Sequence, residues 1–245
     1  MGEGMQRHQV RADAPGSTLS PVKRSAIGLR AASLAGAAAL LAACGSGHHA
    51  ATTTTTTTTS STKARSQAAG LHGLVPSPLP VKPDFTFPDT SGGPYHLDAA
   101  TRGKLTYLFF GYTHCPDACP ATMSYIAYAL HTVSAAVRRQ VRVVFVTVDP
   151  KRDTGRVMRR WLDHYGRSFV GVRGTIRQIG QLEHTVGIPT AVPVKSGETV
   201  AYQVEHSSIL FVFSPDDRAH VVYAQGFKAT DYAHDMPLLL KFRSS

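Results

Sequence analysis

"LTYLFFGYTHCPDACP", Leu105 to Pro120, changes character at its middle, and its reading decides the fold. Leu105 to Tyr112 is almost continuously apolar and aromatic, as a strand buried on both faces is. Then come Cys115 and Cys119, four apart, each followed by a proline, with Asp117 between them. From Cys119 the apolar spacing turns helical, with Met123, Ile126, Ala127, Leu130 and Val133 or Ser134 along one face. A buried strand that feeds a helix directly is the start of a crossover unit. The first amide groups of such a helix have no partners in the helix and point at whatever sits beside them.

Working outward, "VRVVFVTVDP", Val141 to Pro150, reads as a second buried strand. "TGRVMRRWLDHYG" sets Val157, Trp161 and Tyr165 four apart, which predicts a helix ended by Gly166. "TIRQIGQLEHTVG" repeats the helical signal with Ile176, Ile179, Leu182 and Val186. "HSSILFVFSPDDRAHVVYAQG" reads as two strands joined by a Ser-Pro-Asp-Asp turn. "ATDYAHDMPLLLKF" is a closing helix in which Pro237 bends or shortens the last turns. Upstream, the proline-studded Leu74 to Lys104 contains a Ser-Gly-Gly-Pro turn between short apolar segments and predicts a β-hairpin ahead of the main sheet. Crossover helices imply parallel central strands and the late hairpin adds antiparallel ones. The expectation is one α/β domain, residues 71–245, with a mixed sheet flanked by helices and an N-terminal β-hairpin: a thioredoxin-like arrangement.

Asp117 suits the helix N-cap, and Pro120 in the first turn sacrifices no hydrogen bond. The free amides and the helix dipole favour thiolate over thiol, so at least one cysteine should have a depressed pKa. That helps a nucleophile and a metal ligand equally. Three residues between the cysteines, where redox motifs of the Cys-x-x-Cys kind have two, move Cys119 a helical turn on, with about 5 to 6 Å between Cβ atoms if both are helical. An ion bound at roughly 2.3 Å from each sulfur spans that gap more easily than a disulfide does, and paired thiolates select soft ions such as Cu(I). A disulfide stays open, because Cys115 still lies in the loop and can adjust. As a structural staple the pair is weak, since a loop this short has little closure entropy to remove.

Two thiolates leave room for a third ligand. His114 would have to point back along the strand and reads as structural; His164 and His184 sit late in helices; His220 and His234 show no convergence on the pair. His206 differs because it immediately precedes the buried strand "SSILFVF". Residues 187–205 form an excursion before it. "GIPT", Gly187 to Thr190, looks like the cis-proline segment of thioredoxins, but "AVPV" is short and carries Pro193, so "SSILFVF" and "HVVYAQG" make the better sheet hairpin.

The chain's 245 residues also include a leader. Residues 1–44 read as an export signal: Lys23, Arg24 and Arg30 precede the apolar run "AASLAGAAALLAAC", which is too short to span a membrane. "LAAC", Leu41 to Cys44, resembles the lipobox of bacterial lipoproteins, which makes Cys44 the lipidated first residue of the mature protein; an ordinary signal peptide cut after Ala43 is the alternative. Residues 45–70, with eight consecutive threonines, have almost nothing to bury and read as a disordered tether. His48 and His49 within it are read as polar filler. On either reading the domain works outside the cytoplasm, where disulfides are permitted, and the mature domain keeps a single cysteine pair. About 175 residues bury an adequate core without a staple. The formal net charge is +10, but the basic clusters lack the interleaved aromatic residues of a nucleic-acid platform, and an exported protein does not meet nucleic acid. Anionic lipid or an acidic partner suits the charge better.

Three motifs, in order, carry a resemblance. "FFGYTHCPDACP" (Phe109 to Pro120), "TVDPKRDT" (Thr147 to Thr154) and "EHSSILFVFSPDD" (Glu205 to Asp217) together resemble the Sco/SenC family of copper-binding, thioredoxin-like assembly factors for cytochrome c oxidase. The resemblance implies that Cys115, Cys119 and His206 form a copper site, that the cysteines can oxidise to a disulfide, and that the partner is the copper-site subunit of the oxidase. Soft thiolates suit Cu(I) and the imidazole also admits Cu(II). Asp149 matches the family's Asp-Pro motif and stays outside the ligand set. The expected protein is a monomer, lipid-anchored on the outer side of the cell membrane, that delivers copper. The competing reading is a thiol-disulfide reductase using the redox-active pair Cys115 and Cys119, which has no need of His206. A peroxidase, suggested by Thr113 two residues before Cys115, has no further support.

Overall fold

The computed structural model describes residues 61–63, 65–67, 69–195 and 202–243. Cys44, the signal segment and the threonine run lie outside them. No described helix is long and apolar enough to cross a membrane. Residues 61–63 and 65–67 are helical, and Ser66 is buried, its hydroxyl accepting from the Val75 amide, so packing begins ahead of Leu71.

The elements, in chain order, are β1 (Thr86–Pro88), β2 (Pro94–His96), α1 (Leu97–Thr101), β3 (Leu105–Gly111), α2 (Ala118–Thr132), α3 (Ala135–Arg139), β4 (Val141–Thr147), α4 (Gly155–Asp163), β5 (Val170–Val172), α5 (Ile176–Thr185), β6 (Val192–Lys195), β7 (Tyr202–Glu205), β8 (Leu210–Phe213), β9 (Ala219–Tyr223) and α6 (Ala229–Leu239). The main sheet has the order β5-β4-β3-β8-β9. β3, β4 and β5 are parallel, and β8 and β9 join antiparallel. The expected mixed sheet, late hairpin and N-terminal hairpin β1–β2 are all present.

β3 is central because every one of its residues is buried, so only a position with neighbours on both edges and both faces suits it. Phe109 meets Phe145 across the parallel β3–β4 register, and Trp161 of α4 lies 5.1 Å from Phe145, ring to ring. α2 packs against α6 through Tyr125 and Tyr232, and Tyr232 also meets Tyr107 and Tyr223. The β8–β9 turn is closed by Asp217 in the left-handed region at φ 62°, which aspartate tolerates better than most residues.

Ahead of β1 the chain runs along β9, with reciprocal amide bonds between Leu74 and Val222, then Ala219 N–H to Pro80 and Lys82 N–H to Asp217. Lys82 also pairs its buried ammonium with Asp217. At the other side of the sheet, Asp89 bridges Val172 and the Arg173 amide donates to Pro88.

Several sequence expectations shift. The buried face of α4 is Met158 and Leu162, with Trp161 and Tyr165 flanking it and Val157 only half-buried; the helix ends at Asp163, before Gly166. Ile176, expected in the core, is 54% exposed at the start of α5, while Ile179 and Leu182 face inward. Asp117 occupies the N-cap position of α2 without a side-chain capping bond. β5 passed unnoticed because three residues with a glycine give no strand signal. The excursion 187–205 contains a further strand pair, β6–β7, which does not join the main sheet. Pro193 lies in its β6 strand.

Candidate metal centre

β3 delivers the site. Its last residue, Gly111, is the tight point: a Cβ there would lie 2.8 Å from Cys119 Sγ and 2.9 Å from the Phe109 ring. Only glycine lets the first turn of α2 press Cys119 onto the strand end. Cys119 is wholly buried and Cys115 is 8% exposed, so Cys115 is the residue of the pair nearer to solvent. The Cys119 amide donates to Cys115 Sγ at 3.4 Å, the unpaired helix-start donor anticipated at this junction.

His206 lies between β7 and β8. Its Nδ1 hydrogen donates to the Ser207 carbonyl at 2.8 Å, which fixes the tautomer and turns the Nε2 lone pair toward the sulfurs. Nε2 stands 3.6 Å from Cys119 Sγ. The ring is held edge-on between Tyr112, 5.5 Å away at 89°, and Phe109, 6.4 Å away at 83°. The ligand atoms of Cys115, Cys119 and His206 all lie within 4.8 Å of one another, the one such group of three among the described residues. An ion bound by two sulfurs and one nitrogen in trigonal fashion separates its donors by about 3.8 to 4 Å, so ligand atoms already within 4.8 Å of one another need only a small adjustment. A disulfide would require the sulfurs at about 2 Å, and both cysteines are free.

The two sulfurs divide their protons unequally. Cys115 is lowered to about 4, first by the bond it accepts from the Cys119 thiol, then by His206 and the amides of Cys119 and Asp117. Cys119 is pushed far up by its burial and by the neighbouring Cys115 thiolate. Burial disfavours the imidazolium of His206, but the bond to Cys115, the Ser207 carbonyl and the thiolate charge outweigh it and raise its pKa. One proton on the sulfur pair and one thiolate facing outward is the resulting metal-free state.

"TVDPKRDT" braces both halves of the site. Asp153, fully buried, accepts from the Thr113 amide at 3.0 Å, the Thr113 hydroxyl at 2.6 Å and the Thr147 hydroxyl at 2.6 Å, which pins the loop entering Cys115. The Thr113 hydroxyl is thereby committed to Asp153, away from the peroxidase role its position suggested. Arg152 binds the other half: Nε donates to Asp149, Nη1 donates to the Tyr202 carbonyl at 2.9 Å, and the guanidinium lies 3.8 Å over the Tyr202 ring. Asp149 takes no place among the ligand atoms; it accepts from the Tyr202 hydroxyl at 2.8 Å.

The other histidines stay outside. His114 is exposed, near Asp153 and Thr113; His164 faces the Trp161 carbonyl; His184 is exposed; His220 pairs with Asp216; His234 stacks on His72. Sequence reasoning missed Gly111, Tyr112, Arg152, Asp153 and Tyr202. A lone glycine inside an otherwise large-residue strand was the available signal for Gly111. Nothing local marks Tyr202, because its role depends on a partner 50 positions upstream.

A SCO1/SenC family model matches residues 76–241. A protein of Stutzerimonas stutzeri named "Putative copper-binding protein" is 33% identical over 141 residues, covering 57% of this chain and 68% of that protein. The chain spans about half the length of the mitochondrial relatives it matches, such as 50% of the Bos taurus SCO2 homolog. Among solved structures, apo Sco1 from Thermus thermophilus superposes with a TM-score of 0.61 at 28% identity, covering 69% of this chain and 97% of that one. Copper-bound ScoI from Bradyrhizobium japonicum gives a TM-score of 0.57 at 26% identity, covering 64% and 98%.

Proposed function

The chain belongs to the SCO1/SenC family, and from that premise we propose that it is an extracytoplasmic copper carrier. It holds the ion through Cys115, Cys119 and His206 and passes it to the dinuclear copper site of cytochrome c oxidase. The observation that carries this reading is the convergence of two sulfurs and one imidazole nitrogen within 4.8 Å at the end of β3. Two thiolates hold Cu(I); the imidazole, already oriented by the Ser207 carbonyl, completes a set that also accepts Cu(II). The copper named for the Stutzerimonas and Bradyrhizobium proteins supports the same cargo here. A partly exposed Cys115 beside a buried Cys119 suits transfer by ligand exchange, in which an incoming thiolate meets the ion on the Cys115 side.

The reading includes a lipid anchor at Cys44, on the sequence alone. With Cys44→Ala the protein should leave the membrane fraction of its host while keeping its copper capacity; retention in the membrane would remove the anchor from the account.

One observation favours a second reading. A Cys115 thiolate with a pKa of about 4 next to a protonated, buried Cys119 is the arrangement of an attacking and a resolving cysteine, as a thiol-disulfide reductase of the oxidase's cysteines needs. Only the copper reading requires His206. Measuring Cu(I) and Cu(II) affinity beside disulfide exchange rate for His206→Ala separates the two: a strongly weakened but still measurable Cu(II) affinity with exchange intact is expected, and unchanged copper binding would leave the reductase.

A further inference from the structure

We infer that Arg152 is a positioning residue for His206: it latches the β6–β7 arm that brings the imidazole to the sulfurs and so governs whether the site offers three ligands or two. The inference rests on the copper-site reading above.

The backbone placement of His206 is unusual for a ligand. The residue follows β7 directly, and β7 pairs with β6 alone, apart from the five-stranded sheet whose β3 leads into the loop and helix that hold the cysteines. The polar attachments of β7 to the body therefore come from side chains. The Val204 amide donates to the Tyr112 hydroxyl at 3.3 Å. Arg152 Nη1 donates to the Tyr202 carbonyl at 2.9 Å, its guanidinium covers the Tyr202 ring at 3.8 Å, and the Tyr202 hydroxyl donates to Asp149 at 2.8 Å. Asp149 in turn holds Arg152 Nε, and its own backbone amide donates to the Thr147 hydroxyl at the end of β4. Arg152 thus joins β4 to the arm, while its neighbour Asp153 joins β4 to the cysteine loop. Adjacent residues set the two halves of the ligand set against one another.

Where the arm is not held, the imidazole Nε2 is lost from the ligand set and nothing is oxidised or reduced. Cu(I) is tolerated by two thiolates, whereas Cu(II) needs the harder nitrogen donor. Loosening the latch should therefore act on Cu(II) far more than on Cu(I).

The test uses the full chain, purified reduced and titrated with copper alone. Arg152→Lys keeps the charge but loses the planar fork; Tyr202→Phe keeps the ring but loses the bond to Asp149. Each is made alone and together with His206→Ala. Arg152→Lys should weaken Cu(II) binding about tenfold and reduce the thiolate-to-Cu(II) charge-transfer absorption, with Cu(I) still bound at one per chain. Tyr202→Phe should do the same about threefold and serves if Arg152→Lys fails to fold. In the His206→Ala background neither should have any further effect, which a merely structural role would not produce. Equal losses with and without His206, or unchanged Cu(II) affinity and absorption in both variants, overturn the latch. If His206→Ala itself leaves Cu(II) binding unchanged, the copper-site reading has failed and the latch falls with it.

Discussion

Cys115 and Cys119 hold one proton between them at neutral pH, and much of the site's behaviour follows from which sulfur keeps it. Because the folded pKa of Cys115, about 4, lies below the ordinary thiol value of 9.0, the unfolded chain takes up that proton first as pH falls. Ionised Cys115 therefore contributes its full stability above about pH 9 and loses it as pH drops through about 4. The melting temperature of the reduced, metal-free chain should rise between pH 5 and pH 8 more steeply than that of Cys115→Ser. Copper needs the second thiolate too, so binding must expel the Cys119 proton. Calorimetry at pH 8 in buffers of different ionisation enthalpy should find about one proton released per Cu(I), and a value near zero would contradict this division of the pair. Behind the sulfurs, Gly111→Ala puts a methyl group 2.8 Å from Cys119 Sγ, and should cost about 1–3 kcal/mol in denaturant unfolding and weaken copper retention. At this scale the sequence was legible wherever chemistry announces itself in a residue type: two thiols on a helix start, and a histidine just before a buried strand. The residues that aim those groups were hidden, since Ser207 acts through its backbone and Arg152 through a residue in another element.

Elements were legible in proportion to their length. β3 and β4 are seven-residue strands buried almost throughout, and their apolar runs admit no other reading. β5 and β6 have three and four residues, too few for a period to show. α4 was recognised as a helix but with the wrong face inward, because Val157 looked more apolar than the position next to it. The bulky Trp161 and Tyr165 cover the rim, over Phe145 and each other, while Met158 and Leu162 fill the space behind β5. The same logic gives a prediction for the loop between β3 and α2. Asp153→Asn retains the shape but sets an NH2 group against one or two of the three donors and removes the charge they share, so it should cost about 1–3 kcal/mol and raise hydrogen exchange at the Thr113 amide. An unchanged exchange rate there would mean that the loop is held by other contacts.

Across the whole molecule, charge and tethering work together. The net charge of +10 falls to +7 once residues 1–43, with five basic and two acidic side chains, are removed, and on a chain proposed to sit at a membrane surface it favours an acidic partner face and anionic lipid alike; raised salt should slow association with either. The segment that enters the domain does more than connect it. Leu74 to Lys82 lies along the outer edge of β9 and pairs with its backbone at Leu74 and Pro80, and Pro88 and Asp89 cover the end of β5, so each outermost strand of the sheet has a covering segment. Strands left open in this way are templates for pairing with another copy of the chain. A version of the protein trimmed to begin after Lys82 would keep all three candidate ligands and most of the core, yet it should precipitate or form concentration-dependent oligomers in light scattering. The leash that would hold this protein to its membrane is also, at its inner end, what keeps one molecule from aggregating with the next.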